Sequence, residues 1–304
     1  MMTALWKKPN KETMTFEEEL KLRTENAEKI ILKWLPYYPG YRGSMAEAMK
    51  YSIEAGGKRL RPVMLGMMNE AYGGIEEEAG PFMAAIEYIH TSSLIHDDLP
   101  ALDNDELRRG KPAVHSRFGE AMGVLAGDAL LNYAYEVMLK GVASARDRES
   151  AAAAAGILAD KSGLFGMLGG QGMDVEYEKG RLRIDDREML EEICVRKTSA
   201  LIEASLMAGA ALAGAEEKEI RLLEQTGRAV GLAFQIRDDI LDATSTDETL
   251  GKPVHSDEKN GKITFCSLLG TDGAQKLVKE YTDEAVSCCE KLNCRYRMLK
   301  ELIL

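Results

Sequence analysis

The sequence has 304 residues, and its 39 lysines and arginines against 50 aspartates and glutamates give a formal net charge of −11. Such an acidic chain has no overall positive field for a phosphate backbone, which argues against general nucleic-acid binding. Five cysteines without a C-x-x-C spacing favour a reduced, cytoplasmic protein. The N-terminus lacks an apolar signal segment and no apolar run reaches about 20 residues, so we expect no stable membrane insertion.

Helical periodicity recurs along the chain and alternating strand patterns are nearly absent, which predicts an all-α fold. We expect Ser44, with Glu47 as its capping-box partner, to begin a helix. Pro62 and Gly80-Pro81 are expected to open the next two helices. The expected helices cover Phe16 to Leu35, Ser44 to Glu54, Pro62 to about Gly73, Gly80 to the first acidic cluster, Gly119 to Leu139, Ala151 to Leu164, Arg187 to Ala213 behind Asp185-Asp186, Glu216 to Asp242, and Thr264 to the end.

A glycine-rich stretch, Gly169 to Gly172, predicts a break in the helical pattern. The polar segment Ala243 to Lys262 predicts an exposed loop. No linker is long enough to divide the chain, and no repeat of fixed period is present. We therefore predict one domain of about ten helices over residues 1–304.

The first acidic cluster places Asp97, Asp98, Asp103 and Asp105 within nine residues, directly after an apolar helical run. Carboxylates this close repel one another and raise each other's pKa. A divalent cation relieves that repulsion, and Mg²⁺ is usually held by one or two carboxylates together with substrate phosphates. A solvated acidic turn is the alternative for a single cluster of this kind.

A second acidic cluster lies near the end of a predicted helix, where Asp238, Asp239 and Asp242 project within one turn of each other. Like charges at this spacing destabilise a helix, and the helix dipole disfavours negative charge at this end. Two acidic clusters that each end a helix favour a shared metal site over two solvated surfaces.

Basic residues at four places could neutralise a phosphorylated substrate beside these clusters. Gly56-Gly57 precedes Lys58, Arg59 and Arg61 just before a helix start, where free N–H groups favour an anion. Taken singly, each basic cluster is more often a solvated surface. The other basic residues are Arg108 and Arg109 after the first acidic cluster, Lys197 beside Thr198, and Lys252 and Lys262 after the second acidic cluster.

Together these residues resemble the trans-prenyl diphosphate synthases, from about Ser44 to Thr264. The resemblance rests on five ordered motifs: GGKRLRP, HDDLPALDND followed by LRRG, GGQGMD, RKT, and FQIRDDILD followed by LGKPVHSDEKNGK. Four residues separate the first Asp pair from Asp103, which is similar to the bacterial farnesyl and geranylgeranyl diphosphate synthases. The resemblance implies the all-α isoprenoid synthase type I fold around a central cavity, and a homodimer.

The resemblance also implies a Mg²⁺-dependent condensation of isopentenyl diphosphate with an allylic diphosphate (dimethylallyl, geranyl or farnesyl). It implies three magnesium ions per active site, held by Asp97, Asp98, Asp103, Asp238, Asp239 and Asp242. The implied catalytic set is Asp97, Asp98, Asp103, Lys197, Thr198, Gln235 and Asp238, with Thr198 and Gln235 lining the region of the developing cation.

The implied substrate contacts fall into two groups. The allylic diphosphate would be bound by Arg108, Lys197 and Lys252, with Lys262 nearby. Isopentenyl diphosphate would be bound by Lys58, Arg61, His90 and Arg109. Gln171 and Asp174 match a GQ-x-x-D motif that lies beside the site. His90 lies two helical turns before Asp97 on the same face, whereas His96 is better read as a hydrogen-bonded core histidine than as a partner of the acidic pair.

Product length is expected to depend on Ser92 and Ser93, at and beside the position where bacterial farnesyl synthases commonly carry an aromatic residue. Two small side chains leave the pocket open one turn lower and favour geranylgeranyl diphosphate, with Ile89, Tyr88 or Met45 as the next obstruction. The alternative is a farnesyl diphosphate synthase that stops at fifteen carbons.

Two further functions compete with this interpretation. A class I terpene cyclase also uses an acidic motif and Mg²⁺, but it needs no second diphosphate pocket, so Lys58, Arg61 and Arg109 argue against it. A non-catalytic helical partner subunit would typically have eroded acidic motifs, and both are intact here.

Overall fold

A computed structural model describes residues 14–36, 39–184, 186–244, 263–293 and 297–304. These residues are mostly helical, which confirms the all-α prediction. The α-helices are α1 Phe16–Lys33, α2 Met45–Glu54, α3 Leu60–Ala71, α4 Glu76–Asp97, α5 Val114–Phe118, α6 Glu120–Ser144, α7 Arg148–Ser162, α8 Met167–Glu178, α9 Arg187–Cys194, α10 Ala200–Leu212, α11 Glu217–Thr244, α12 Phe265–Lys291 and α13 Arg297–Ile303. A π-helical turn, Val195–Ser199, joins α9 to α10, and strands β1 Leu107–Arg108 and β2 Lys111–Pro112 form an antiparallel hairpin.

The chain divides into two compact units. The first unit comprises Met1–Leu158 and Ala208–Ala215, and the second comprises Ala159–Met207 and Glu216–Leu304. The first acidic cluster lies in the first unit and the second acidic cluster in the second unit. One domain over residues 1–304 with a central cavity stays a prediction.

Helix α4 forms the centre of the first unit. It is buried on nearly all sides between Ala79 and Ile89, as expected for a helix that is apolar around its whole circumference. Two tyrosines attach the end of α1 to this core: Tyr88 donates to the carbonyl of Ile31 at 2.7 Å, and Tyr133 on α6 donates to the carbonyl of Trp34 at 2.9 Å. These contacts fix the helix that delivers the first acidic cluster.

The second unit has its own apolar core, formed where α9, α11 and α12 meet. Leu232 and Ile236 on α11 pack with Phe265 and Leu277 on α12 in this cluster. The core faces of α11 therefore fix the position of the second acidic cluster on the same helix.

Several predicted helix boundaries are wrong, and each error has a physical reason. Ser44 precedes α2 but makes no side-chain cap, so the capping box with Glu47 is absent. Helix α4 begins at Glu76, because three glutamates in its first turn complement the helix dipole. Pro81 therefore lies inside the helix, where its ring packs against Gly141 of α6.

One more helix start and one predicted break differ from the expectation, whereas one predicted cap is present. Helix α3 begins at Leu60, so Pro62 lies within its first turn, which needs no proline N–H. The glycines from Gly169 to Gly172 lie inside α8 and do not interrupt it. Asp186 caps α9 by accepting from the Met189 N–H at 2.9 Å, as expected, whereas Asp185 lies outside the described residues.

Two predictions on compartment and membrane remain untested. Among the described residues the helical stretch Arg148–Glu178 is long and apolar enough by composition to cross a bilayer, with 33% of its apolar window buried, and a single stretch of this kind is weak evidence for a membrane span. The described cysteines that are not in disulfide bonds are Cys194, Cys266, Cys288 and Cys289.

Candidate active site

The first acidic cluster begins where α4 ends. Asp97 is the last residue of the helix and Asp98 its C-cap, and the loop folds back so that the Asp103 N–H donates to the Asp97 carbonyl at 2.9 Å. Asp98 is only 2% exposed, Asp97 is half-buried, and Asp103 and Asp105 are exposed. The helix end thus supplies one buried carboxylate within a row of solvated ones.

Arg108 returns to Asp98 through the β1–β2 hairpin. Arg109 and Gly110 occupy its two-residue turn with φ of 54° and 74°, as a type I′ turn requires. Arg108 donates from Nε to Asp98 Oδ1 at 2.8 Å and again from Nη2 to the same oxygen. Burial raises the pKa of the Asp98 carboxyl, and Arg108 opposes that rise. The second oxygen of Asp98 takes no part in this ion pair.

Helix α2 holds the hairpin from the side. The Tyr51 hydroxyl donates to the Pro112 carbonyl at 2.8 Å, and Lys111 donates to the Glu54 carbonyl at 3.2 Å. The guanidinium of Arg117 lies over the Tyr51 ring at 4.2 Å, a cation–π geometry. The hairpin is therefore fixed at several points, and both arginines of its LRRG segment are oriented with it.

A cluster of side chains that we call the cation pocket, Arg61, His90 and Arg109, lies in the same unit, with Arg61 and His90 half-buried and Arg109 exposed. Arg61 Nη1 lies 3.3 Å from His90 Nε2. Burial and then the repulsion of Arg61 and Arg109 lower the pKa of His90 well below its usual value, so the ring is neutral near pH 7 and accepts from Arg61. Burial and Arg109 also lower the pKa of Arg61. Three of the four residues expected to bind isopentenyl diphosphate are thus brought together, and Lys58 is exposed at the preceding turn.

Backbone geometry makes room for this pocket. The Arg109 guanidinium occupies the space that a Cβ at Gly57 would enter, 2.7 Å from Nη2, and the positive φ of Gly57, 142°, favours glycine there. Among the described residues, no carboxylate forms an ion pair with Arg61 or Arg109, and Arg61 Nε is buried without an acceptor. An anion is the ligand that such a pocket accepts.

Arg59 departs from the expectation of three cations in the GGKRLRP segment. Its side chain is fully buried and paired with Glu28 and Glu87, so only Lys58 and Arg61 are placed to meet an anion. No local pattern in the sequence reveals this difference, because carboxylates 31 and 28 positions away supply the partners.

Ser92 and Ser93 lie on α4 as expected, and both hydroxyls bond within the helix. Ser92 is 2% exposed and donates to the Ile89 carbonyl at 2.8 Å, and Ser93 is half-buried and donates to the His90 carbonyl at 2.9 Å. Ile89 and Tyr88 directly below are fully buried, whereas Met45 is half-buried. The serines therefore add little volume to this face, and their part in product length stays a prediction.

His96 packs between α4 and α6. Its Nε2 lies 3.2 Å from the Val124 carbonyl and 3.5 Å from Asp128 Oδ1, and the ring fits against Gly127, where a Cβ would come within 2.2 Å. The ring is half-buried and contacts α6, in keeping with a packing histidine.

In the second unit, Lys197 and Thr198 lie on the π-helical turn Val195–Ser199. Such turns are rare and occur frequently at functional sites. Two glycines allow neighbouring helices to approach this turn. A Cβ at Gly170 of α8 would lie 2.3 Å from the backbone nitrogen of Lys197, and a Cβ at Gly231 of α11 would lie 2.2 Å from Ser199 Oγ. Gly170, which was expected to help break a helix, is thus a close-packing position, and no local feature of the sequence predicts this.

Lys197 donates from Nζ to Asp174 Oδ2 at 2.5 Å. Asp174 is 5% exposed, and Gln171 of the same motif is half-buried on α8. The GQ-x-x-D segment therefore orients the lysine of the RKT segment, so that these two motifs act as one local arrangement.

A hydrogen-bond chain leads from the π-helical turn to α12. Thr198 donates to Gln235 Oε1 at 3.2 Å, and Gln235 Nε2 donates to Asp239 Oδ1 at 3.2 Å. The other oxygen, Asp239 Oδ2, accepts from the Phe265 N–H at 3.0 Å, at the first residue of α12. Asp239 is 7% exposed and acts as an anion at a helix N-terminus, a favourable position for a carboxylate.

The three aspartates of the second acidic cluster are therefore not equivalent. Asp238 is exposed and Asp242 half-buried, whereas both oxygens of Asp239 already accept hydrogen bonds. Asp238 is better placed than Asp239 to meet a ligand from solvent.

Mg²⁺ fits the donors of the first cluster. In the described ranges no three His, Cys, Asp or Glu side chains form a preformed cage, but Mg²⁺ usually needs only one or two carboxylates besides waters and phosphates. Asp98, whose pKa is raised by burial, is a carboxylate that a nearby cation stabilises. Lys252 and Lys262, with most of the polar segment Ala243 to Lys262, lie outside the described residues.

Comparisons with known proteins agree with these features. Residues 43–299 match the family model described as "Polyprenyl synthetase". The chain is 41% identical over 259 residues to the farnesyl diphosphate synthase of Bacillus subtilis, which covers 85% of this chain and 86% of that one. It is 39% identical over 273 residues to the heterodimeric geranylgeranyl pyrophosphate synthase large subunit 2 of Arabidopsis thaliana, covering 90% and 71%.

Among solved structures, the chain is similar to a geranyltransferase from Helicobacter pylori, described as complexed with magnesium and isoprenyl diphosphate. The TM-score is 0.80 at 30% identity, with 95% of each chain covered. The resemblance seen in the motifs thus extends over the whole fold.

Proposed function

The chain belongs to the polyprenyl synthetase family, and on that premise we propose how its residues carry out the reaction. It is a prenyltransferase that makes short-chain prenyl diphosphates, and its substrates are isopentenyl diphosphate and allylic diphosphates. The assignment of individual residues, the metal count, the product and the assembly are the proposals that follow.

The cation pocket is the observation that carries the residue assignment. Arg61, Arg109 and neutral His90 lie together with no carboxylate paired to either arginine in the described part of the chain. The two arginines repel one another, and a bound diphosphate would offset that repulsion. We assign isopentenyl diphosphate to this pocket, with Lys58 as the fourth ligand.

The allylic diphosphate is assigned to Arg108, Lys197 and Lys252, with Lys262 nearby. Mg²⁺, three ions per site, would be held by Asp97, Asp98, Asp103, Asp238, Asp239 and Asp242. When bound, the metal supplies Lewis-acid stabilisation of the departing diphosphate. The Arg108–Asp98 pair supports this assignment, because it brings a proposed diphosphate ligand next to a proposed metal ligand.

The protein's own groups bind, orient and exclude water. Arg108 and Lys197 hold negative charge where the allylic C–O bond breaks, which is the largest electrostatic contribution available to the chain. Thr198 and Gln235 present neutral oxygens, which stabilise positive charge on the allylic carbon. The double bond of isopentenyl diphosphate then attacks that carbon, and a proton passes to the released diphosphate.

Product analysis tests this function. Isopentenyl diphosphate is incubated with dimethylallyl, geranyl or farnesyl diphosphate, with and without Mg²⁺, and chain length is read by chromatography. We expect condensation only with Mg²⁺ present. No condensation with any starter would overturn the assignment.

We propose geranylgeranyl diphosphate as the end product, because Ser92 and Ser93 add little volume one turn below the first acidic cluster. Relatives include synthases named for products of fifteen and of twenty carbons, so farnesyl diphosphate is the alternative.

Replacing Ser92 by tyrosine is expected to shorten the product to fifteen carbons, because a phenol would fill the turn above Tyr88. The matched control is Ser92→Ala, which keeps a small side chain and the long product. Farnesyl diphosphate as the sole product of the unaltered enzyme would contradict the chain-length proposal.

A homodimer in the cytoplasm completes the proposal. The described cysteines are not in disulfide bonds, which supports that location. Light scattering of the purified protein and fractionation of the producing cells test the two statements separately.

A further inference from the structure

Two arginines of the GGKRLRP segment have opposite surroundings. Arg59 is 2% exposed, with its guanidinium held by carboxylates from two helices: Nε donates to Glu28 Oε2 at 2.6 Å and Nη1 donates to Glu87 Oε1 at 2.6 Å. Arg61, two residues later, has no carboxylate partner among the described residues and contacts His90. Arg59 is thus neutralised in place, whereas Arg61 keeps its charge for a ligand.

Arg59 also connects three helices. Besides Glu28 of α1 and Glu87 of α4, its Nη2 donates to the Ile53 carbonyl at the end of α2 at 2.6 Å. Four of its five N–H groups are used in these contacts. Such a planar, multidentate arrangement fixes the direction of a guanidinium far more strictly than a single ion pair.

The backbone of Arg59 lies in the left-handed region, with φ 50° and ψ 30°, directly before α3. Non-glycine residues adopt this region only when their surroundings hold them there. No side chain caps the start of α3, so the anchored Arg59 side chain is what holds this turn. Lys58 precedes the turn and Arg61 follows it, and their directions depend on it.

We propose that Arg59 is a positioning residue for isopentenyl diphosphate: anchored on Glu28 and Glu87, it holds the turn that aims Lys58 and Arg61 at the diphosphate. This inference rests on the proposed function. Arg59 does not touch the substrate, and its contribution reaches the diphosphate through the two neighbouring cations.

Arg59→Met tests the proposal, with Arg23→Met as the matched control. Arg23 is also fully buried and paired with two carboxylates, Glu19 and Glu70, but lies on α1 away from the motif. Misplacing two cations by about 1 Å is expected to raise KM for isopentenyl diphosphate about tenfold or more. KM for geranyl diphosphate should change less than about twofold in the same variant, and Arg23→Met should lower Tm without changing either KM.

Glu28→Gln gives a second variant that keeps the core intact, since the Glu28 side chain is 32% exposed. We expect it to raise KM for isopentenyl diphosphate about threefold while Tm stays within a few degrees of the unaltered protein. Equal changes in both KM values, or KM values unchanged in Glu28→Gln and in any folded Arg59→Met, would overturn the proposal. An unaltered enzyme that condenses no substrate would overturn the proposed function, which is a separate outcome.

Discussion

The two acidic clusters differ in how the fold treats their carboxylates. In the first unit, the cluster follows the last turn of α4, and its buried member Asp98 is paired with Arg108. In the second unit, the cluster lies within the continuous helix α11, and its buried member Asp239 binds Gln235 and the start of α12. The buried aspartate of the first cluster is thus paired with a charged side chain, whereas that of the second cluster accepts hydrogen bonds from neutral groups.

This difference shows that similar motifs need not divide their roles in the same way. The DDILD segment resembles the DDLPALD segment in sequence, but both side-chain oxygens of its second aspartate, Asp239, accept hydrogen bonds from within the protein. A role read from the motif alone assigns both Asp238 and Asp239 to metal. The structure separates them by exposure, since Asp238 is exposed and Asp239 is buried, and substitutions test that difference.

The largest effect is expected for Asp98→Asn. Removing this charge takes away a proposed metal ligand and the partner of Arg108, so kcat/KM should fall about 100- to 1000-fold. Steady-state assays over a Mg²⁺ titration measure it. Asp105→Asn is the control, because Asp105 is exposed and its carboxylate lies 3.4 Å from Arg108 Nη2. The kcat/KM of this variant should change little. An Asp98→Asn enzyme with near-normal activity would contradict the metal assignment.

Gly170→Ala tests the π-helical turn beside the second cluster. The new Cβ would lie 2.3 Å from the backbone nitrogen of Lys197. Overpacking of this kind lowers the free energy of unfolding by about 1–3 kcal/mol. Activity should fall with it, because Lys197 shifts. Gly172→Ala, two positions along the same helix with open space around it, is expected to leave activity unchanged. Urea titration and kinetics of the pair check this.

Asp239→Ala should weaken the fold more than Asp238→Ala does. It leaves the Phe265 N–H and the Gln235 amide without their acceptor, at a cost of about 1–3 kcal/mol. Asp238 is exposed, so its removal should reduce activity with little change in unfolding free energy. Equal stability of the two variants would contradict the distinction between the two aspartates.

The smallest effect concerns pH and the cation pocket. The pKa of His90 is lower in the folded protein than in the unfolded chain, so the unfolded state binds more protons as pH falls through about 6.5, and the free energy of unfolding falls with it. Between pH 7.5 and 5.5, the free energy of unfolding of His90→Gln should fall by about 1 kcal/mol less than that of the unaltered protein. Identical pH slopes for the two proteins would show that His90 is not held neutral.

The sequence was sufficient for fold class and motifs because these depend on local patterns. Periodicity and the lack of alternation predicted helices, and the paired aspartates, GGKRLRP and RKT segments predicted where the chemistry lies. Ser92, Ser93 and His90 lie on the helix expected for them, whereas Arg61, which was expected just before a helix start, lies inside α3 because that helix begins at Leu60.

What could not be predicted depends on partners distant in sequence. Arg59 differs from Arg61 only because Glu28 and Glu87 reach it from other helices. Gly170 looked like a helix breaker, because nothing local reveals that the Lys197 backbone packs against it. Pro81 by itself predicts the start of a helix, although the glutamates before it favour an earlier helix N-terminus.

The LRRG hairpin also bears on how the enzyme matures after synthesis. Its two bonds to α2 join residues 61 and 57 positions apart, and contacts across such loops form later than the helices they connect. During refolding, the helical circular-dichroism signal should therefore return before affinity for pyrophosphate does. We expect a newly made chain to become helical before it binds substrate.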